Sequence, residues 1–171
     1  MLVILVMGVG VAFYTFVSPT SSTIERDKIT AAALAQAKEA LIGWSAARTP
    51  TAASPNIRPG ELPCPDATNS GNDPGPTCSA GAIGRVPWKS LGIQEPKDSA
   101  GETLWYAISG PFRHYGPGYT NPITSDTLGN ITVYSGSSAT TLTSQAVAVI
   151  FAPGAPLNTQ DRSTITTALC N

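Results

Sequence analysis

Hydrophobic positions run almost unbroken at the start of the chain and become periodic only after residue 24. The opening stretch, MLVILVMGVGVAFYTFV, is apolar apart from Tyr14, Thr15 and two glycines. No charge occurs before Glu25, Arg26, Asp27 and Lys28, which arrive together. A helix that spans a bilayer needs about 20 apolar residues, with a lower limit near 17. The uncharged residues 18–23 bring the segment to that length, and it reads as a membrane anchor. A secretory signal would open on a positive region, and no Lys or Arg precedes Arg26. Ser18-Pro19-Thr20 also fits a small-residue cleavage site poorly. Met1 therefore reads either as the start of an anchor or as the first residue left after a short basic leader is removed. The abrupt apolar start suits the second.

Pro19 removes a backbone donor and disfavours helix at Ser18, which predicts a kink or break there. Ser22-Thr23-Ile24-Glu25 then reads as a capping box that opens a new helix. Beyond it the chain is alanine-rich, and Leu34, Ala37, Leu41 and Trp44 recur at helical spacing as one apolar stripe. Gln36, Lys38 and Glu39 fall off that stripe. Gly43 and the prolines from Pro50 onward end the helix. The pattern divides the chain into an apolar helix at 1–23, an amphipathic helical half at 24–48, and a globular head at 49–171. Together the two helical parts would make a rod of roughly 60–65 Å.

Residues 49–100 are dense in Pro, Gly, Ser, Thr and Asn and predict an irregular loop region. Three strands are expected after it. Residues 103–108 alternate Leu104, Tyr106 and Ile108 against Trp105 and Ala107. Residues 131–134 follow a turn at Leu128-Gly129-Asn130. Residues 146–151 are continuously apolar and predict a central strand buried on both faces. Turn-rich connections favour antiparallel pairing, and the alanine-rich helix supplies the cover such a sheet needs. The polar tail at 157–171 is a candidate edge strand. The expected fold is α+β, a long N-terminal helix kinked near Pro19 and packed on a small antiparallel sheet.

Composition narrows the function. The chain of 171 residues has room for one head domain and an appendage. Its net charge of -1 supplies no basic face for nucleic acid. Cys64 and Cys78 would close a short loop, stabilising it by roughly 3 kcal/mol in an oxidising compartment. Cys170 is then left over, to pair with another subunit or to stay free. Asp66, Asn69, Asn72 and Asp73 lie inside that loop and have calcium-ligand chemistry. They lack the EF-hand spacing, however, and are ordinary turn formers, so the turn reading is preferred and no cofactor is expected. His114, the single histidine, sits between Gly and Pro residues and reads as a surface loop residue. Glu102 reads as a structural acid paired with Arg85 or Arg113. No Gly-x-Ser-x-Gly, His-Glu-x-x-His, phosphate loop or Cys-x-x-Cys-His occurs, so neither an enzyme nor a covalent haem carrier is expected. The Ser- and Thr-rich run at 135–144 reads as a polar loop or O-glycan site. Phe13, Tyr14 and Phe16 read as an interfacial belt and core packing rather than a conducting stripe.

An apolar N-terminal helix, an amphipathic second half, a cysteine loop and a small antiparallel sheet together resemble a type IV pilin or a type II secretion pseudopilin. Five blocks carry the resemblance further, toward a group of proteobacterial pilin-like proteins. They are AQAKEALIG at 35–43, PGELPCPD at 59–66, GRVPW at 84–88, GETLWYA at 101–107 and VIFAPGAPL at 149–157. The resemblance implies leader removal by a prepilin peptidase, passage through the inner membrane, and assembly into a homo-oligomeric helical filament at the cell surface. It also implies a pilus or secretion assembly machinery as partner. Met1, Leu2, Val3, Ile4, Leu5, Val6, Met7, Phe13 and Phe16 would form the polymerisation helix, with Gly8 and Gly10 admitting close backbone approach. Most pilins carry glutamate at the fifth mature position, where this chain has Leu5, so subunits would align without that charge. Two other readings fit the same residues. One is a pseudopilin forming a short periplasmic piston. The other is a monomeric binding domain tethered by the helix.

Overall fold

A computed structural model of the chain describes the backbone of residues 2–51, 57–75, 78–114, 122–136, 139–158, 160 and 162, and the side chains of these residues from Ser22 onward. In chain order the elements are helix α1 (Leu2–Ala47), strands β1 (Ile83–Arg85) and β2 (Trp105–Ile108), a 3-10 turn at Gly110–Phe112, and strands β3 (Ile131–Ser135), β4 (Thr140–Ala146) and β5 (Ala148–Phe151). The fold is α+β: one N-terminal helix and two small antiparallel sheets.

Helix α1 is 46 residues long, about 69 Å at 1.5 Å per residue. The break expected at Pro19 is absent, because the helix continues through it. A proline removes one rung of the hydrogen-bond ladder and strains the turn before it. The turns on either side keep their own bonds, and the ladder resumes. Ser22 and Glu25 are consequently interior positions and not the capping box of a second start. At the other end, the carbonyl of Ser45 accepts from the backbone N–H of Gly60 at 3.3 Å, which satisfies one of the orphan acceptors of a helix terminus. Gly60 sits at φ +90°, with the Ile123 side chain 3.1 Å from where a Cβ would stand, so the position requires glycine.

Ala33, Ala37 and Leu41 recur every four residues and are buried on one face of α1. They pack with Leu62, Val86, Leu104, Tyr106, Ile108 and Phe112. Two alanines at this contact let the helix backbone lie close to the sheet. Leu104, Tyr106 and Ile108 alternate toward the helix, as the pattern predicts, while Trp105 and Ala107 are buried on the opposite face.

The first sheet has the order β1-β2-β5, antiparallel throughout. Tyr106 sits opposite Gly84 on one side and Ile150 on the other. This corrects the expectation for residues 146–151. Among the described residues strand β5 pairs with β2 only and is half-buried, whereas all four residues of β2 are buried. An apolar run does not distinguish a central strand from one that lies under a helix. Strands β3 and β4 form a separate two-stranded ribbon with two register shifts. The run expected to be a polar loop at 135–144 therefore contains most of β4. Of the tail, Leu157, Asn158, Gln160 and Arg162 are described and none is in a strand.

Candidate assembly helix and its anchorage

The residues assigned to polymerisation, from Leu2 to Phe16, all lie on the backbone of α1. Met1 and the side chains of residues 2–21 lie outside the described residues, as does Cys170. Among the described residues no helix is long and apolar enough to cross a membrane. The described part of α1 divides sharply. Residues 22–29 are all exposed, including Ile24 at 62% and Ile29 at 47%. Packing on the head begins at Thr30, whose hydroxyl accepts from the Ser99 N–H at 3.1 Å.

The C-terminal end of α1 is held by a polar clasp. Glu61 is fully buried, and its Oε1 accepts from Arg48 Nε at 3.0 Å and from Arg48 Nη2 at 2.6 Å. Arg58 Nε stands 3.7 Å from the other carboxylate oxygen, and Arg58 Nη2 donates to the carbonyls of Pro111 and Arg113. Two guanidinium groups thus balance one buried carboxylate, an arrangement that buried charge requires. Arg48 follows the last helical residue, where a cation also favours the negative end of the helix dipole. Its guanidinium lies 4.2 Å from the centre of the Trp44 ring.

His114 completes the clasp and is not the loop residue on the surface that its flanks suggest. Its Nδ1 lies 3.2 Å from Asp73 Oδ2, its Nε2 lies 3.1 Å from Arg48 Nη2, and its ring meets Trp44 edge-on. Asp73 Oδ1 in turn accepts from the N–H groups of Cys64 and Gly75. The chain of contacts therefore runs from the helix end to the cysteine loop, which the Cys64–Cys78 disulfide closes with a Cα–Cα distance of 5.8 Å. The far nitrogen of the imidazole faces the Arg48 guanidinium, so the His114–Asp73 pair links the helix end to the cysteine loop.

The loop acids organise turns. Asp66 accepts from the N–H groups of Thr68 and Gly71 and from the hydroxyls of Thr68 and Ser70. With Asp73 bound as above, the two carboxylates serve separate sets of donors. Asn69 adopts φ 58°, and Asn72 donates to the Ser70 carbonyl, as turn residues do. Among the described residues no group of His, Cys, Asp and Glu is placed to hold a metal.

Glu102 has a different partner from those expected. Its carboxylate lies 3.8 Å from Arg162 Nη1, which donates to the Gly154 carbonyl. Arg85 Nη2 donates to the Arg162 carbonyl and Arg113 Nη1 to that of Cys78. Asp98, also buried, accepts from Ala100, Glu102 and Gly154 N–H groups and ties the segment after β5 to the loop before β2. Among the described residues two side chains have displaced pKa values. Burial, and then the charge of Asp73, push the Tyr106 phenol well above its ordinary range. The hydrogen bond from Thr103, with Lys97 assisting, holds the Glu95 carboxyl below its ordinary value against a smaller effect of burial.

One face of α1 and the head enclose an apolar groove of about 930 Å³, lined among others by Leu34, Ile42, Leu62, Phe112 and Val147. Among the described residues Lys38 is the one charged residue on its wall. Comparison of the chain with protein-family models, with characterised proteins and with solved structures returns no match.

Proposed function

We propose that the chain is the structural subunit of an extracellular, type IV pilus-like filament, assembled through its N-terminal helix. The observation that carries this reading is the division of α1. A single 46-residue helix meets the head only from Thr30 onward among its described side chains, while residues 1–24 hold no charge. An uncharged helical half is stable in lipid, where every backbone group is satisfied internally. The same surface is stable against identical helices in a filament core. The inner membrane stores the subunit, and assembly exchanges lipid contacts for helix contacts. The clasp of Arg48, Glu61 and His114 supports this use, because it fixes the head to the helix end so that the stacking of one sets the position of the other.

Leu5→Lys tests the reading. A charge placed in an apolar core without a partner is costly, and cells producing this variant are expected to yield no fibres while accumulating subunit in the membrane. Normal fibre yield from Leu5→Lys would overturn the assembly role of the helix. A pseudopilin predicts the same helix chemistry but fibres that remain periplasmic.

A further inference from the structure

We infer that His114 is a pH-sensitive latch: its neutral imidazole ties the end of α1 to the cysteine loop, and its protonation releases Arg48 and with it the helix end. The ring stands between two groups that fix its protons. Nδ1 lies 3.2 Å from Asp73 Oδ2, and a carboxylate can only accept, so Nδ1 carries the proton. Nε2 lies 3.1 Å from Arg48 Nη2, and a guanidinium can only donate, so Nε2 is bare. The geometry therefore selects one tautomer of the neutral ring. A second proton, on Nε2, would point at the guanidinium, N–H against N–H and cation against cation.

The charges around the ring decide which group gives way. Arg48 approaches from the end of α1, Arg58 and Glu61 from the segment that leads into the cysteines, and Asp73 from the cysteine loop. The Tyr106 phenol of β2, kept protonated by burial, feels the charge of Asp73. Arg113, the neighbour in sequence, turns its Nη1 to the Cys78 carbonyl. With the ring neutral, two guanidinium groups balance two carboxylates. Protonation sets three cations against them around a fully buried Glu61, and a surplus buried charge is costly. An acceptor for the new proton is at hand, because Nε2 lies 3.9 Å from Glu61 Oε1, the oxygen that Arg48 occupies. Arg48 is the cation that leaves. Its side chain is 20% exposed against 8% for Arg58, which the carbonyls of Pro111 and Arg113 also hold. Departure of Arg48 removes its contact with the Trp44 ring, so the last turn of α1 loses its side-chain tie to the head. The latch rests on the head and the helix end alone and does not depend on the filament reading.

The chain holds a single histidine, so nuclear magnetic resonance of the untagged, isotope-labelled, full-length chain in detergent micelles reads this ring alone. At about pH 8 its nitrogens should report the neutral tautomer with the proton on Nδ1. On acidification toward about pH 5, across the range in which histidine changes charge, the Arg48 Nε–H resonance should move toward that of Arg26, which is exposed. That shift and the protonation of His114 should share one midpoint. A neutral ring with its proton on Nε2 would overturn the latch. So would an Arg48 resonance that stays in place while His114 protonates, or a ring still neutral at about pH 5. His114→Gln places a side chain that does not titrate at the same position, and the Arg48 shift should be lost. A shift that persists in this variant belongs to another group and contradicts the proposal.

Discussion

Arg48 and Glu61 meet side-on across the end of α1, with two guanidinium nitrogens within 3.0 Å of one carboxylate oxygen that is fully buried. This pair joins the last turn of the helix to the loop that leads into the disulfide, and it is expected to set stability strongly. Removing Arg48 leaves the buried Glu61 carboxylate to Arg58 at 3.7 Å, and breaking a buried ion pair costs up to about 3–5 kcal/mol. Arg48→Ala should approach that cost and Glu61→Gln should cost less, because the amide still accepts. Chemical denaturation of the detergent-solubilised chain measures both. A loss below about 1 kcal/mol in Arg48→Ala would show an ordinary surface pair instead.

Tyr106 offers a substitution in the other direction. It is fully buried in the core between sheet and helix, and among the described residues its hydroxyl has no hydrogen-bond partner. An unsatisfied buried polar group costs about 1–3 kcal/mol. Tyr106→Phe removes the hydroxyl and little else, and should raise the unfolding midpoint. A lower midpoint would mean that the hydroxyl has a bonding role in solution.

The Cys64–Cys78 bridge closes a loop across a separation of 14 residues. The chain-entropy account assigns such a loop about 3 kcal/mol. Reduction, or Cys64→Ala with Cys78→Ala, should destabilise by that order, and also release Asp73 from the Cys64 N–H and loosen His114. The measurement is a denaturation curve with and without reductant, and coincident curves would contradict this.

Acid stability has a defined contribution from Glu95. Its folded pKa is lowered from 4.5, chiefly by the Thr103 hydroxyl. A lowered folded value means the unfolded chain binds the proton first, so the contribution is present above pH 4.5 and is lost as pH falls through the folded value. Thr103→Val should flatten this part of the acid limb and leave stability at neutral pH to change separately through packing. An unchanged pH slope below 4.5 would remove Glu95 from the account.

The apolar positions of the helix and of β2 were legible because each faces one environment with one period. Ala37 and Leu41 mark the buried stripe of α1, and Tyr106 and Ile108, with Leu104 just before them, the inner face of β2. Strand β1 was not, since Ile83-Gly84-Arg85 is three residues long with glycine at its centre. Strand β4 was hidden for another reason. Its residues are exposed on both sides, so no alternation of apolar and polar positions records it. The clasp was also out of reach, because Arg48, Glu61 and His114 come together only after residues 48–114 have folded back on the helix end. Glu61 within PGELPC, residues 59–64, was the available signal, an acid set among Pro, Leu and Cys.

Cryo-electron microscopy of material sheared from cells producing this protein tests the central claim most directly. The account expects fibres whose core is built of staggered helices from residues 1–24, with heads clasped at Arg48 and Glu61 on the outside. Recovery of the protein as a monomer in the inner membrane, absent from every fibre, would contradict it.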